Sequence, residues 1–352
     1  MLCPYFGKCG GCSYQHIDYS EQVSLKEDFL KNLFGFSMDV VPSDSPLHYR
    51  NRMDFVCAFG KIGLRKKGDF KTVIDIEECQ IFSKKGNEVL KEVREKVMGK
   101  VDFYDFIEHK GYLRYVVIRT GEETLVNFVT KTKDDKIKSI AESLELPESI
   151  WWTVNETRSD TSYGEKLQFW KSPYITHKIG KYRFFIGPLS FFQTNSVDIE
   201  KPYNMIKEHV EGFVLDLYSG VGTIGIFVSE NAEEVVCIEK DEEAVMLGNK
   251  NIEENRVENV RMLRGDLRTM QLSEFGSPDT IIVDPPRPGL GKKVVKKMLL
   301  LEPKKIIYMS CNPKTQKQDI KLMKDYELEE IAGFDLFPQT PHVETVAILS
   351  KK

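Results

Sequence analysis

The chain has 352 residues, of which 41% are apolar, 30% charged and 11% aromatic. This composition is typical of a globular protein with two or three compact units, which excludes a small disulfide scaffold and a disordered or fibrous chain. The net charge of -4 excludes a histone-like polycation. No apolar run is long enough to cross a bilayer and no signal peptide is recognisable, so we expect a cytoplasmic monomer.

Residues 1–16 are rich in cysteine and glycine, and Cys3, Cys9 and Cys12 have the spacing of metal ligands. Cys79 follows a polar turn and is the best candidate for a fourth ligand. Four thiolates bind either structural zinc or an iron–sulfur cluster, and spacing does not separate the two. A third possibility is four unliganded thiols, but a Gly-Gly pair between two of the cysteines suits a backbone that wraps a cluster.

The next two segments are predicted to be a linking helix and a central domain. The helix lies within residues 17–46, begins near Asp18 or Ser20 and ends at Gly35. Residues 47–189 indicate an α+β domain with mainly antiparallel pairing. Its expected strands include Met53–Phe59, Tyr112–Thr120 and Thr124–Val129, and its expected helices lie near 86–98 and 133–144.

The central domain begins with a basic segment that predicts RNA binding. Between Leu47 and Lys85 there are nine Lys or Arg residues against five acids, whereas the chain as a whole is acidic. Such a patch contacts phosphates, and Tyr49 and Phe70 could stack on unpaired bases. The alternative is a solvated charged face. The nine basic residues are Arg50, Arg52, Lys61, Arg65, Lys66, Lys67, Lys71, Lys84 and Lys85.

From about residue 190 onward, strands alternate with helices, which predicts a doubly wound parallel sheet in residues 190–352. The short connection before the last strand requires that strand to run antiparallel to its neighbour. Ligands of such sheets bind at the carboxyl edge of the strands. The predicted strands are Phe213–Tyr218, Val235–Glu239, Val260–Leu263, Thr280–Asp284, Lys305–Ser310, one near Glu329–Asp335, and Thr345–Leu349.

A glycine loop after the first of these strands predicts a nucleotide-type cofactor site. Gly220, Gly222 and Gly225 match a dinucleotide fingerprint, and Glu239 ends the next strand, where it could bind ribose hydroxyls. A tight turn would need the same glycines, so the loop alone is weak. Carboxylates also lie at or near the ends of three strands, at Asp216, Asp266 and Asp284. They would repel a pyrophosphate but suit the cationic S-adenosylmethionine.

Two residues near the same edge suggest the chemistry. Cys311 lies in a turn directly after the fifth strand, and its thiolate is favoured if the turn amides and Arg287 face it. Glu344 directly precedes the last strand. C5 of uracil is too weakly nucleophilic to attack a sulfonium, but thiolate addition to C6 generates an enolate whose C5 can accept a methyl group. Glu344 is then the candidate base that removes the C5 proton.

In their order along the chain, five motifs resemble those of the RNA uridine-5 methyltransferases, which make ribothymidine in tRNA and 23S rRNA. The motifs are Phe192–Asn195, Asp216–Gly222, Asp284–Gly289, Ser310–Pro313 and Phe337–Glu344. The resemblance implies a Rossmann-like class I methyltransferase domain after an iron–sulfur region and a central α+β domain. It implies that Cys311 is the nucleophile and Glu344 the proton acceptor, and it favours a [4Fe-4S] cluster over zinc. It assigns S-adenosylmethionine contacts to Gln193, Tyr218, Glu239, Asp266 and Asp284, beside the loop glycines Gly220 and Gly222.

The expected function is therefore methylation of a loop uridine in RNA, with 23S rRNA slightly favoured over position 54 of tRNA. Two alternatives belong to other classes. An NAD-dependent oxidoreductase would use the glycine loop but gives no role to Cys311 or Glu344. A non-catalytic RNA-binding iron–sulfur protein would lose no activity on Cys311→Ala.

Overall fold

A computed structural model describes residues 2–352 and contains two large sheets. The N-terminal helix α1 (Tyr19–Phe34) ends at Gly35, whose φ of 93° lies in the left-handed region, as the sequence predicts. Strand β1 (Val40–Val41) follows and pairs in parallel with a strand near the C-terminus. Within residues 2–352, no helix is long and apolar enough to span a membrane.

The central domain contains a seven-stranded sheet that is antiparallel except for one neighbouring pair, β6 and β7. Its order is β4-β3-β2-β5-β6-β7-β8. Its strands are β2 (Arg52–Ala58), β3 (Lys61–Lys66), β4 (Asp69–Asp75), β5 (Leu113–Thr120), β6 (Thr124–Thr130), β7 (Ser149–Val154) and β8 (Glu165–Lys171).

Helices α2 (Lys84–Val97) and α3 (Lys138–Glu142) belong to the same domain, and apolar residues of both join the core on one face of the sheet. The helix expected near residues 133–144 is shorter than predicted, since α3 is preceded only by a 3-10 turn, Asp135–Ile137. The Tyr112 hydroxyl donates to the Asp134 carbonyl and accepts from the Ile137 N–H, so two backbone groups at the start of this segment are bound by a side chain.

The C-terminal half has the predicted alternation of strands and helices. A separate hairpin, β9 (Ile175–Ile179) and β10 (Tyr182–Ile186), precedes it. The sheet strands are β11 (Phe213–Leu217), β12 (Glu234–Glu239), β13 (Val260–Arg264), β14 (Thr280–Val283), β15 (Lys305–Ser310), β16 (Tyr326–Phe334) and β17 (Glu344–Lys351). The helices are α4 (Glu200–Glu208), α5 (Thr223–Val228), α6 (Glu242–Glu254), α7 (Gly291–Leu299) and α8 (Pro313–Ile320).

The C-terminal sheet has the order β1-β16-β17-β15-β14-β11-β12-β13. Strands β11 to β15 are parallel, whereas β17 runs antiparallel between β15 and β16, as the sequence predicts. This reversal brings the start of β17 to the carboxyl edge, where Thr345 pairs with Ser310. Cys311 follows Ser310 and Glu344 precedes Thr345. In antiparallel strands these two residues therefore lie next to each other, just beyond this pair.

The hairpin β9–β10 packs against the C-terminal sheet. Ile175, Ile179 and Phe184 are buried in the same apolar cluster as Val214 of β11. The hairpin thus contributes to the core of the C-terminal domain although it precedes residue 190, where the sequence predicts the domain boundary.

Candidate active site

The loop between β11 and α5 brings backbone amides to the carboxyl edge of the sheet. Gly222 has a φ of 79°, which favours glycine. A Cβ atom at Gly225 would lie 2.2 Å from the Cys237 Sγ in β12, so glycine is needed for α5 to pack this close to the sheet. The Gly220 N–H donates to the Glu239 Oε2 at 3.0 Å. Gly220, Gly222 and Glu239, three of the residues predicted to bind the cofactor, are thus neighbours.

Tyr218 and Asp266 lie beside this loop. Tyr218 has a φ of 64°, a strained conformation for a residue with a side chain. Burial raises its pKa, and the charges of Asp266 and Glu239 act in the same direction. Asp266 accepts the Arg268 N–H, which lowers its pKa, and pairs with Lys240 at 3.0 Å. Two carboxylates therefore surround the tyrosine at the ends of β12 and β13.

Asp216 is buried and Asp284 is half-buried at the same edge of the sheet. The Asp284 Oδ2 accepts from the Gln193 Nε2 at 3.0 Å, and the Asp216 Oδ2 accepts from the Gly225 N–H at 2.9 Å. The Asp216 Oδ1 has no hydrogen-bond partner. Burial raises the pKa of both aspartates to about 7. Buried carboxyls with raised pKa values gain from a nearby cation, so this edge fits S-adenosylmethionine and does not fit a pyrophosphate.

Cys311 lies half-buried in a cavity of about 280 Å³ that is also lined by Arg287 and His342. Burial is the main cause that raises the pKa of this thiol to about 11, and the charges of Glu344 and Asp284 add to it. Arg287 lowers the pKa, as the sequence analysis required, but its effect is the smaller one. Arg287 therefore acts in the direction that the sequence analysis named, but burial, together with the two carboxylates, keeps the pKa of the free thiol above its usual value.

Glu344 is 1% exposed, and its Oε1 has no hydrogen-bond partner. Burial and the charge of Asp284 raise its pKa well above the usual value, while Arg287 opposes them. A buried carboxyl oxygen without a partner is costly and commonly marks a functional position. Cys311, Glu344, Asp284 and Arg287 thus form one electrostatically coupled group.

The four cysteines of the predicted metal site line one cavity, although they come from residues 3–12 and from residue 79. The Gly11 N–H donates to the Cys9 Sγ at 3.3 Å, which suits a thiolate ligand. No group of three or more His, Cys, Asp or Glu among the described residues is spaced to hold a metal ion. Since the thiolates of a cluster bind different irons, they need not converge on one point. The lining fits a cluster, but a metal centre is not shown.

The basic segment meets the cysteine loop at the β3–β4 hairpin. The Gly10 N–H donates to the Arg65 carbonyl at 2.9 Å, and the Lys67 N–H donates to the Lys8 carbonyl at 2.9 Å. Lys66 and Lys67 are exposed at the hairpin tip. Arg65 is neutralised by Asp160, 2.9 Å away. The accessible charge of the patch therefore includes the hairpin tip, as well as the exposed Lys61, Lys71 and Lys84.

A groove of about 470 Å³ connects this region with the cofactor motif, and Gly11, Arg50, Tyr163, Phe191 and Thr194 contribute to its lining. Phe191 is 60% exposed. It was not singled out from the sequence, although the Phe-Phe doublet before Gln193 was a signal. Tyr49, by contrast, is buried, and its hydroxyl donates to the Pro338 carbonyl, so it cannot stack on a base.

Comparison with known proteins gives a family and close relatives. The model of the tRNA (uracil-5-)-methyltransferase family matches residues 18–352. The tRNA (uracil(54)-C(5))-methyltransferases of Pyrococcus furiosus and Pyrococcus horikoshii are 38% and 39% identical to the chain, and each alignment covers 99% of the chain and 85% of the relative. These matches confirm the resemblance inferred from the five motifs and give no support to an oxidoreductase.

A solved structure confirms the α/β methyltransferase fold. The crystal structure of the Pyrococcus abyssi tRNA (uracil-54, C5)-methyltransferase in complex with S-adenosyl-L-homocysteine is 36% identical, with a TM-score of 0.85 over 96% of this chain and 85% of that chain. This similarity supports S-adenosylmethionine as the cofactor. From the family match and these relatives, we conclude that the chain belongs to the tRNA (uracil-5-)-methyltransferase family.

Proposed function

We propose that this protein methylates C5 of uridine 54 in tRNA with S-adenosylmethionine as the methyl donor. The relatives at 38% and 39% identity are named for this nucleotide. The slight preference for 23S rRNA drawn from the sequence has no support among them. The observation that carries the proposed chemistry is that Ser310 pairs with Thr345, which brings the adjoining Cys311 and Glu344 together at the carboxyl edge.

Bound S-adenosylmethionine supplies a methyl group on a positively charged sulfur. Gln193, Tyr218, Glu239, Asp266 and Asp284 are the residues proposed to hold it, with the backbone at Gly220 and Gly222. The Asp284 carboxylate accepts from Gln193, and charge attraction at a carboxyl with a raised pKa favours a cationic ligand.

Cys311 is the proposed nucleophile. Its sulfur loses the thiol proton to solvent and bonds to C6 of the uracil, and the C5–C6 π electrons move toward the carbonyl oxygen at C4 as an enolate. The C4 carbonyl then re-forms as C5 bonds to the methyl group, whose bond to the donor sulfur breaks and leaves that sulfur as a neutral thioether. Because the thiol pKa is about 11 in the free protein, the thiolate needs added positive charge, and Arg287 supplies part of it.

Glu344 is the proposed base for the last step. Its carboxylate takes the C5 proton, the C–H electrons restore the C5–C6 double bond, and the S–C6 bond breaks to release the Cys311 thiolate. A raised pKa makes the ionised carboxylate a stronger base than an exposed glutamate. The Oε1 without a partner leaves this oxygen available to the substrate.

Cys3, Cys9, Cys12 and Cys79 are proposed to bind a [4Fe-4S] cluster, with structural zinc as the alternative. The shared cavity and the amide donated to Cys9 support four clustered thiolates. The uridine chemistry needs no electron transfer, so a structural or RNA-positioning role follows. Iron and sulfide analysis of the anaerobically purified protein separates the two metals.

The tRNA is proposed to lie along the β3–β4 hairpin tip and the groove that leads to Phe191. Exposed lysines contact phosphates, and an exposed aromatic ring offers a stacking platform for an unpaired base. The target uridine must leave its stack for a thiolate to reach C6. In this arrangement residues 47–189 bind RNA and residues 190–352 bind the cofactor, while residues 1–16 hold the cluster and 17–46 link the units.

The proposed substrate is tested with labelled S-adenosylmethionine and three RNAs: a tRNA transcript, the same transcript with cytidine at position 54, and a 23S rRNA fragment. We expect label in the first alone, as ribothymidine at position 54. Equal labelling of the cytidine transcript, or labelling of the rRNA fragment alone, would overturn the assignment.

A further inference from the structure

The segment Asp335–Val343, called here the base loop, connects β16 with Glu344 and is held by parts of the chain far away in sequence. The Lys26 Nζ of α1 lies 2.5 Å from the Asp335 Oδ1 and 3.2 Å from the Phe337 carbonyl oxygen. The Asn195 side chain donates to the Leu336 carbonyl at 3.2 Å. The base loop is thus fixed by α1 and by the segment next to Gln193.

Gln339 is the centre of these contacts. Its N–H donates to the Gln22 Oε1 at 2.9 Å, and its Oε1 accepts from the Gln22 Nε2 at 3.0 Å. This reciprocal pair is buried, since Gln22 is 1% and Gln339 is 7% exposed. Gln339 also has a φ of 68°, a costly conformation that persists only where the surroundings fix it.

The same glutamine contacts the cysteine segment directly. The N–H groups of Ser13 and Tyr14, which follow Cys12, both donate to the Gln339 carbonyl, at 2.9 and 3.0 Å. The Gln22 Nε2 also donates to the Tyr14 carbonyl at 3.1 Å. A continuous set of hydrogen bonds therefore leads from Cys12 through Gln339 to the loop that ends at Glu344.

We propose that Gln339 and Gln22 are positioning residues for the proton-abstraction step, and that the cysteine segment supports the base through them. This inference rests on the proposed role of Glu344. Neither glutamine lines the Cys311 cavity or is assigned to cofactor binding, so we expect their loss to displace the carboxylate first. His342 of the base loop does line that cavity, and the formation of adduct reports whether thiolate addition is retained.

The expected signature is a build-up of the covalent intermediate. If the carboxylate is misplaced, C5 is methylated but its proton is not removed, so the S–C6 bond does not break and protein stays attached to the methylated RNA. A displacement of about 1 Å at a catalytic group can slow a step about a hundredfold. We therefore expect elimination to slow by about tenfold or more, while RNA and cofactor affinities stay unchanged.

The test compares Gln339→Gly, Gln22→Ala and Glu344→Gln under single-turnover conditions with methyl-labelled cofactor. Glycine tolerates the positive φ at position 339, so the first variant removes the side chain without adding backbone strain. Gln271→Ala, at an exposed position, is the matched control. Labelled protein–RNA adduct is measured on denaturing gels, and cofactor affinity is measured by calorimetry.

Accumulation of adduct in both glutamine variants and in Glu344→Gln, with wild-type cofactor affinity and no adduct in the control, supports the proposal. Accumulation in Glu344→Gln alone overturns the positioning role but leaves the base assignment intact. Absence of adduct in Glu344→Gln overturns the base assignment itself, and with it this inference.

Discussion

Binding of S-adenosylmethionine is expected to release protons from the buried carboxyls of the active site. Burial raises the pKa of Asp284 to about 7, so this group is about half protonated at pH 7 in the free protein. A positive charge about 5 Å away, at an effective dielectric constant of about 20, stabilises a carboxylate by about 3 kcal/mol and so lowers its pKa by about two units. Asp284 alone should then release about half a proton at pH 7.

This proton release means that the affinity for S-adenosylmethionine changes with pH in a direction that can be worked out. The bound state holds fewer protons than the free state, so affinity rises with pH, by about tenfold between about pH 6 and pH 8 for a pKa that falls from about 7 to about 5. Glu344, whose pKa is also raised, adds to the effect in the same direction.

Isothermal titration calorimetry in two buffers of different ionisation enthalpy measures the released protons. S-adenosylhomocysteine is the matched ligand, because its neutral thioether lacks the sulfonium charge. We expect clearly more proton release with S-adenosylmethionine. Equal release for the two ligands, or a cofactor affinity that does not change with pH, would refute the placement of Asp284 beside the sulfonium.

Three further outcomes are expected. Cys79→Ala should lose most of the about four irons and four sulfides of a [4Fe-4S] cluster, whereas Cys57→Ala, in the core, should keep them; equal contents would contradict the ligand assignment. The double variant Lys66→Gln, Lys67→Gln should bind tRNA more weakly, and the slope of log K against log salt concentration should become shallower by about one to two. The control Lys304→Gln should keep the wild-type slope, because Lys304 is already paired with Asp279; a wild-type slope in the double variant would exclude the hairpin tip from the RNA interface. Lys26→Met leaves the buried Asp335 without its cation and should lower the free energy of unfolding by about 3–5 kcal/mol, seen as a lower melting temperature that Asp335→Asn partly restores; an unchanged melting temperature would mean that the pair does not hold α1.

Much of the C-terminal half could be predicted from the sequence because its strands are short apolar runs that end in recognisable motifs. The antiparallel direction of β17 followed from the short connection before it, and the structure confirms that Thr345 pairs with Ser310. The grouping of Cys79 with Cys3, Cys9 and Cys12 in one cavity was likewise predicted from a polar turn and a resemblance.

Long-range contacts of polar side chains could not be predicted. Nothing local in the sequence indicates that Gln22 pairs with Gln339, which is 317 positions away, or that Lys26 is buried against Asp335. The direction of the Cys311 pKa shift also depended on the burial of the thiol and on its distance from two carboxylates and Arg287, which only the folded structure settles. Tyr49 was misjudged for the same reason, because its partner, the Pro338 carbonyl, lies 289 positions away.

The central claim is that the Cys311 sulfur adds to C6 of the target uridine. A tRNA carrying 5-fluorouridine at position 54 tests it directly, since fluorine at C5 cannot be removed as a proton is and the adduct persists. We expect the wild-type protein to form an adduct that survives denaturation and maps to Cys311, and Cys311→Ser, still able to bind cofactor, to form none. An adduct that persists in Cys311→Ser, or that maps to another cysteine, would contradict the mechanism.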